Sequence, residues 1–293
     1  MSLNNRLSHR NDEPENGVLY IVGTPIGNLS DISSRTIHIL KNVFLIACED
    51  TRQTSKLLNN FGIKNKLISF NKYNALKKVT YIVNKLRNGE SIAITSDAGL
   101  PGISDPGEEL VKEARLQGID VICIPGPCAA LTALVSSGLP SSKFIFEGFL
   151  PKKRICREKI LQEISNNDKT TILFESPHRL KKLLEELKKY CGGEREIMIS
   201  KEMTKKYEQH IGSNIDEVIK FFCDKEVLGE FTIVIKGKIK DKKIESDELK
   251  IKKDLKELIN YGLSLSSASK YISKRENLSR KYVYNLFINT KDI

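Results

Sequence analysis

The sequence predicts an α/β protein with a parallel or mostly parallel sheet in its first half, a mixed sheet in its second, and a small helical module at its end. Three observations carry this. From residue 18 to residue 149, short apolar runs alternate with segments of helical period, the pattern of strands joined by helical crossovers. In the second half the connections shorten, which suits antiparallel members. Beyond residue 238, lysines and acids dominate until three short helix-period patterns close the chain.

In chain order, residues 18–22 form a first strand that stops at Gly23-Thr24-Pro25-Ile26-Gly27-Asn28-Leu29. A helix follows, started by Ser30 or Asp31, with Ile32, Thr36, Ile39 and Leu40 on one face. Residues 43–48 make a second strand that delivers Glu49-Asp50-Thr51-Arg52 at its C-terminal end, and residues 66–70 make a weaker third. Val79, Ile82, Val83 and Leu86 mark a helix closed by Gly89. The fourth strand feeds the Gly/Pro-rich loop Ser96-Asp97-Ala98-Gly99-Leu100-Pro101-Gly102. Asp105, Pro106 and Glu108 then read as N-cap, first helical residue and capping-box acid of a helix ending near Gln117. Residues 120–124 form a strand, Pro125-Gly126-Pro127-Cys128-Ala129-Ala130 opens the next helix, and residues 143–149 form another strand.

Residues 152–159 carry Lys152, Lys153, Arg154, Arg157 and Lys159 across the expected domain junction. Residues 170–174 form a strand ending in Glu175-Ser176-Pro177-His178-Arg179. Ser176 and Pro177 start a helix with Leu180, Leu183, Leu184 and Leu187 on one face and Gly192-Gly193 at its end. Residues 195–200, 207–211 and 231–236 read as strands, with Lys205 and Glu208 on a strand-like segment. Residues 238–256 read as a charged linker, followed by short helices around Leu258, Ala268 and Val283. The expected divisions are a flexible tail over residues 1–16, an α/β domain with the ligand loops over 17–142, a second α/β domain over 143–240, and a linker with a helix-turn-helix-like module over 241–293.

The chain has 293 residues, 40% of them apolar and 29% charged, which suits a soluble globular protein with a sizeable core. Lys plus Arg number 48 against 37 acids, a formal net charge of +11. That excess favours a polyanionic partner, although solubility alone also explains it. Six cysteines form no CxxC pair, so neither a zinc site nor a disulfide framework is expected, and no metal is assigned. The polar start lacks the apolar core of a signal peptide and no stretch is long enough to span a bilayer, so a cytoplasmic, non-membrane protein is expected. The Gly/Pro-rich loops follow strand ends, where open α/β sheets bind ligands. Read alone, each is also an ordinary strand-to-helix connection.

Eight blocks stand in order: LYIVGTPIGNLSDIS, CEDTRQTSKLL, ITSDAGLPGISDPG, IPGPCAALTAL, FEGFLPKK, FESPHRL, EMTKKYEQHIGS and GEFTIVI. The set resembles the small-subunit ribosomal RNA 2′-O-methyltransferase I family of the tetrapyrrole-methylase superfamily, over about residues 17–240. The end of the chain resembles the helix-turn-helix domain that many members carry. The resemblance implies a two-domain tetrapyrrole-methylase-like fold, a homodimer, and S-adenosylmethionine held between the domains. It also implies methylation of a cytidine 2′-OH in the decoding centre of 16S rRNA, within the 30S subunit. By the same likeness the cofactor would be held around Gly23, Pro25, Gly27, Ser96, Asp97, Ala98, Gly99, Pro125, Gly126, Cys128, Ala129, Glu175, Ser176, Pro177 and Gly229. Candidates for catalysis are Lys205, Glu208, Asp50, Arg52 and Glu175, and the residues do not single out the base. Lys152, Lys153, Arg154, Lys270, Arg280 and Lys281 are candidates for RNA phosphates, or else belong to solvated faces. The chain departs from the family at Cys128, where Ser is usual. It departs again at Asn71-Lys72-Tyr73-Asn74-Ala75, where a His-Asn-Glu-type segment is usual. Two rivals remain open, C-methylation of an acidic tetrapyrrole and a non-enzymatic RNA-binding protein.

Overall fold

The computed structural model describes residues 13–239, 242–276 and 278–288. The chain divides into two compact units, Met1–Gly237 and Lys238–Ile293.

The first unit holds two five-stranded sheets. The first sheet is built from β1 (Leu19–Val22), β2 (Leu45–Cys48), β3 (Leu67–Ser69), β4 (Ile92–Thr95) and β5 (Val121–Ile124). Its strands run in the order β3-β2-β4-β1-β5 and every pair is parallel. The strands are apolar along their length because helices cover both faces. On one face, α3 (Ala75–Arg87) and α4 (Glu108–Leu116) set Val79, Ile82, Leu86 and Leu110 against Leu19, Ile92 and Ile94. On the other, α1 (Ser34–Asn42) and α2 (Thr51–Asn60) set Ile39, Leu40 and Leu58 against Tyr20, Val22 and Ile46.

Local chemistry sets the helix ends, with two departures from expectation. Ser33, rather than Ser30 or Asp31, caps α1, its hydroxyl accepting from Thr36 N–H at 3.0 Å; the preceding Leu29–Asp31 forms a single 3-10 turn. Asp105 does not cap α4. Gly107, with φ 154°, re-aims the chain so that the helix begins at Glu108, and the Asp105 side chain is released towards the cleft described below.

The second sheet contains β6 (Phe144–Phe149), β7 (Thr170–Glu175), β8 (Glu196–Lys201), β9 (Gln209–Asn214) and β10 (Phe231–Ile235) in the order β6-β7-β10-β8-β9. Only β6 and β7 are parallel. One face packs on α6 (Arg154–Asn166), α7 (Pro177–Cys191) and α8 (Ile215–Phe222) through Leu161, Leu180, Leu184, Val218 and Phe222. The other packs on α5 (Ala129–Ser136), whose Ala130, Ala133 and Leu134 meet Ile172, Met203 and Val234. Helix α5 therefore follows β5 in sequence yet belongs by packing to the second sheet, earlier than the expected boundary at 143. Residues 124–129 carry the chain across from one sheet to the other.

Several other expectations are revised. The basic run over 152–159 opens α6 and puts Arg157 inside, 7% exposed. The segment holding Lys205 and Glu208 is a turn: β8 ends at Lys201, and Glu202 and Thr204 adopt φ of 52° and 66°. Residues 1–12 of the expected tail lie outside the described residues, but Glu13 is buried and pairs with Arg35 through two 2.7 Å hydrogen bonds.

In the second unit, the expected linker is helical: α9 spans Lys242–Asn260 as one helix. Lysine and glutamate are good helix formers, and Ile251 and Leu255 repeat at i, i+4 towards the interior. With α10 (Leu265–Arg275) and α11 (Arg280–Ile288) it encloses a small core of Ile251, Leu255, Ala268, Ile272 and Val283. Among the described residues, no helix is long and apolar enough to cross a membrane.

Candidate active site

The loops after β1, β4 and β5 meet the second sheet around a cleft of about 500 Å³. Gly23 and Gly126 are needed where the first-sheet loops cross. A Cβ at Gly126 would lie 2.7 Å from the Gly23 Cα, so only glycine at both positions allows the approach. Thr24 and Gly99 then form an isolated antiparallel bridge, with N–H to O distances of 2.9 and 3.1 Å. A side chain at Gly27 would come within 2.6 Å of Lys205 Cγ and 2.7 Å of Thr204 Oγ1, so this loop lies against the β8–β9 turn across the cleft.

Of the expected cofactor residues, Asp97, Ala98, Gly99, Cys128, Ala129, Glu175, Ser176, Pro177 and Gly229 line the cleft. Gly23, Pro25, Gly27, Ser96, Pro125 and Gly126 do not line it. Gly23 and Gly126 shape the wall by packing on each other, and the buried Ser96 donates to Ala98 O at 3.2 Å. Ile26, Leu100, Ile103, Phe149, Phe174, Met203 and Phe231 supply an apolar lining. Helices α5 and α7 both begin at the cleft, and neither N-cap, Cys128 or Ser176, makes a side-chain capping bond. First-turn N–H groups at a helix start lack intrahelical partners and favour negative charge.

The expected catalytic carboxylates are all committed to other work. Asp50 caps α2, accepting from Arg52 N–H at 2.8 Å, and its hydrogen-bonded ion pair with the Arg52 side chain holds its pKa at about 2. Arg52 is correspondingly raised by Asp50. Neither lines the cleft. Glu175 does, but its oxygens accept from Arg179 Nε at 2.7 Å, Arg179 Nη2 at 2.8 Å and Ser176 N–H at 2.8 Å. Arg157 lies 3.7 Å away on its other side. Glu208 accepts from Thr204 N–H at 2.7 Å and lies 2.9 Å from His210 Nε2, fixing the β8–β9 turn. Lys205 bonds Glu202 and Glu230 at 2.9 Å each; burial opposes its charge, but these two carboxylates hold its pKa above the ordinary lysine value. A cation held in this way does not serve as a base.

Two acidic cleft residues outside the expected loops escaped the sequence reading. Glu49 at the end of β2 and Asp105 in the β4–α4 loop face the cleft together with Asp97. Burial is the first cause raising the pKa of each of the three. Repulsion adds to it: Asp105 and Asp97 raise Glu49, and Asp97 raises Asp105. Lys72 opposes the shift at Glu49 and Asp105, Arg52 opposes it at Asp97, and none of the three makes a described side-chain ion pair. The wall thus presents negative charge that a cationic ligand would compensate. Among the described residues no group of three or more His, Cys, Asp or Glu side chains is arranged to hold a metal.

Of the expected RNA-facing residues, the three in the first unit do not line this cleft. Lys152, Lys153 and Arg154 are exposed at the start of α6, where Arg154 pairs with Glu158 at 2.8 Å. In the second unit Lys270, Arg280 and Lys281 are all exposed, and Arg280 is hydrogen-bonded to Ser266.

Residues 18–219 match the family model of Tetrapyrrole (Corrin/Porphyrin) Methylases. Two solved structures share the fold. Uroporphyrin-III-C-methyltransferase from Thermus thermophilus has a TM-score of 0.53 at 17% identity, over 74% of this chain and 94% of that one. A cobalt precorrin-4 methyltransferase has a TM-score of 0.56 at 15% identity, over 75% and 95%. Among sequence relatives, ribosomal RNA small subunit methyltransferase I of Synechocystis is 41% identical over 92% of this chain and 97% of its own length. The protein of the same name in Bacillus subtilis is 38% identical over 94% and 96%. In Thermotoga maritima the corresponding protein is 46% identical, and 99% of its length is matched by 76% of this chain. Identity at this level, over nearly the full length of those relatives and with the methylase model over most of the chain, places this protein in the ribosomal RNA small subunit methyltransferase I family of the tetrapyrrole-type methylases.

Proposed function

We propose that the protein transfers a methyl group from S-adenosylmethionine to the 2′-OH of a cytidine in the decoding centre of 16S rRNA, acting on the 30S subunit as a cytoplasmic homodimer. The observation that carries the reading is the polarity of the cleft. Uncapped N-termini of α5 and α7 offer donors for a carboxylate, while Asp97 and Asp105 offer partners for cationic groups. The apolar side chains between them give an aromatic ring a slot. A molecule with an amino-acid end, a positive sulfur and an adenine matches all three. When bound, S-adenosylmethionine supplies a methyl group on a sulfonium, which leaves readily. The protein's part is to hold the acceptor oxygen in line with that methyl group and to receive its proton.

The names of the relatives support ribosomal RNA as the substrate. Exposed Lys152 and Lys153 on the first unit, and Lys270 and Lys281 on the second, suit phosphate contacts that position RNA without reading its sequence. The exposed Leu131 and Val135, four residues apart on α5, suit a contact between subunits. With labelled S-adenosylmethionine, label is expected in the 16S rRNA of unmodified 30S subunits and none in uroporphyrinogen III. Label in the tetrapyrrole alone would overturn the reading.

A further inference from the structure

We infer that Glu49 is the group that accepts the proton of the substrate hydroxyl, an inference that rests on the methyl-transfer reading above. It begins with the order of strands. Reading across the first sheet from β5 to β3, the glycine-bearing loops follow β5, β1 and β4, Glu49 follows β2, and the turn over residues 71–74 follows β3. Phe70 N–H donates to Cys48 O at 2.7 Å, so that turn starts directly beside Glu49. The turn is braced from within: Asn71 N–H donates to Asn74 Oδ1 at 2.9 Å and Tyr73 N–H to Asn71 Oδ1 at 3.1 Å. It presents the Tyr73 ring outwards, 95% exposed, next to Lys72. A cationic and aromatic turn at the β3 edge of the sheet, next to Glu49, is suited to a nucleotide, through its phosphate and by stacking on its base. Glu49 thus lies where the glycine loops end and this edge begins.

The chemistry of the neighbouring acids points the same way. Asp50, Glu175 and Glu208 are held by Arg52, by Arg179 with Arg157, and by Thr204 N–H with His210. Asp97 accepts from Asp50 N–H at 3.1 Å, and the Ser96 side chain beside Asp105 opposes the rise of its pKa. Glu49 faces Asp97 and Asp105 from the β4–α4 loop and Lys72 from the β3–α3 turn, with the Asp97 backbone opposing the rise of its pKa. Burial and the two acids raise its proton affinity towards the range useful for a general base, and Lys72 limits the rise. As the ribose O–H proton passes to the Glu49 carboxylate, the oxygen uses that electron pair for the new O–C bond. The pair of the broken C–S bond stays with the departing sulfur.

The test compares Glu49→Gln and Lys72→Met with the wild type on unmodified 30S subunits. Glu49→Gln should bind S-adenosylmethionine within about threefold of wild type by calorimetry and lose about 100-fold or more in single-turnover rate. Lys72→Met, assayed at saturating 30S subunits so that a lost phosphate contact does not limit the rate, should move the acid limb of its pH profile to higher pH. A base must be ionised to work, and loss of a nearby positive charge lets the carboxylate keep its proton to higher pH. The ¹³C titration of the Glu49 carboxyl carbon in the free protein should shift in the same direction. A Glu49→Gln rate near wild type, a loss of cofactor affinity matching the loss of rate, or no shift of either titration in Lys72→Met would overturn the assignment. A wild-type protein that leaves 30S subunits unlabelled would remove the substrate reading itself, an outcome distinct from an active wild type with an equally active Glu49→Gln.

Discussion

Replacing Glu175 with alanine is expected to lower the stability of the first unit by about 3–5 kcal/mol, the scale of breaking a buried ion pair from one side. The Glu175 side chain is fully buried and holds Arg179 by two hydrogen bonds, with Arg157 3.7 Å away and itself only 8% exposed at its side chain. Removing the carboxylate leaves two guanidinium groups facing each other. Arg157 retains Glu186 at 2.7 Å, which softens the loss at that end. For a unit of this size the melting temperature should fall by roughly 10 °C. Glu175→Gln keeps one acceptor oxygen and should fall by less. A melting point for Glu175→Ala within about 2 °C of wild type would contradict this account and return Glu175 to consideration as a reacting group.

Gly126→Ala should weaken S-adenosylmethionine binding by about tenfold or more, a loss of about 1.4 kcal/mol, while the protein stays folded. Its new Cβ would fall 2.7 Å from Gly23 Cα and 2.8 Å from Gly23 C, and backbone atoms cannot rotate away as a flexible side chain can. The crossing loops must part, moving Cys128 and Ala129, which line the cleft two and three residues further on. Overpacking of this kind also costs about 1–3 kcal/mol of stability. Calorimetry that finds wild-type affinity in a folded variant would show that the approach of the two loops does not shape the site.

Those two glycines show what a sequence can and cannot disclose. Glycine in an otherwise apolar strand-to-loop junction signals that backbone must come close to something. It does not reveal that the neighbour is a second glycine rather than a ligand. The strands of the first sheet and the leucine face of α7 were legible because burial on one or two faces writes a period into the sequence. Glu49 and Asp105 were not legible. Glu49 is enclosed by loops that follow β4 and β3, so its environment depends on strand order, and no local pattern encodes that. Asp105 sits in an Asp-Pro-Gly-Glu run that reads as a helix start until Gly107 turns the chain. Helix α9 was hidden by its charge, since the apolar pair Ile251 and Leu255 is sparse among lysines and acids.

The proposed product of this protein is a 2′-O-methyl group on one decoding-centre cytidine. Its most direct test is the ribose-methylation map of 16S rRNA from cells with and without the gene, read by mass spectrometry of nuclease fragments. A single cytidine in the decoding centre is expected to lose a ribose methyl group in the deletion strain and to regain it on incubation of the 30S subunits with the protein and S-adenosylmethionine. Identical maps from the two strains, or a methyl group that is lost from a base rather than a ribose, would contradict it.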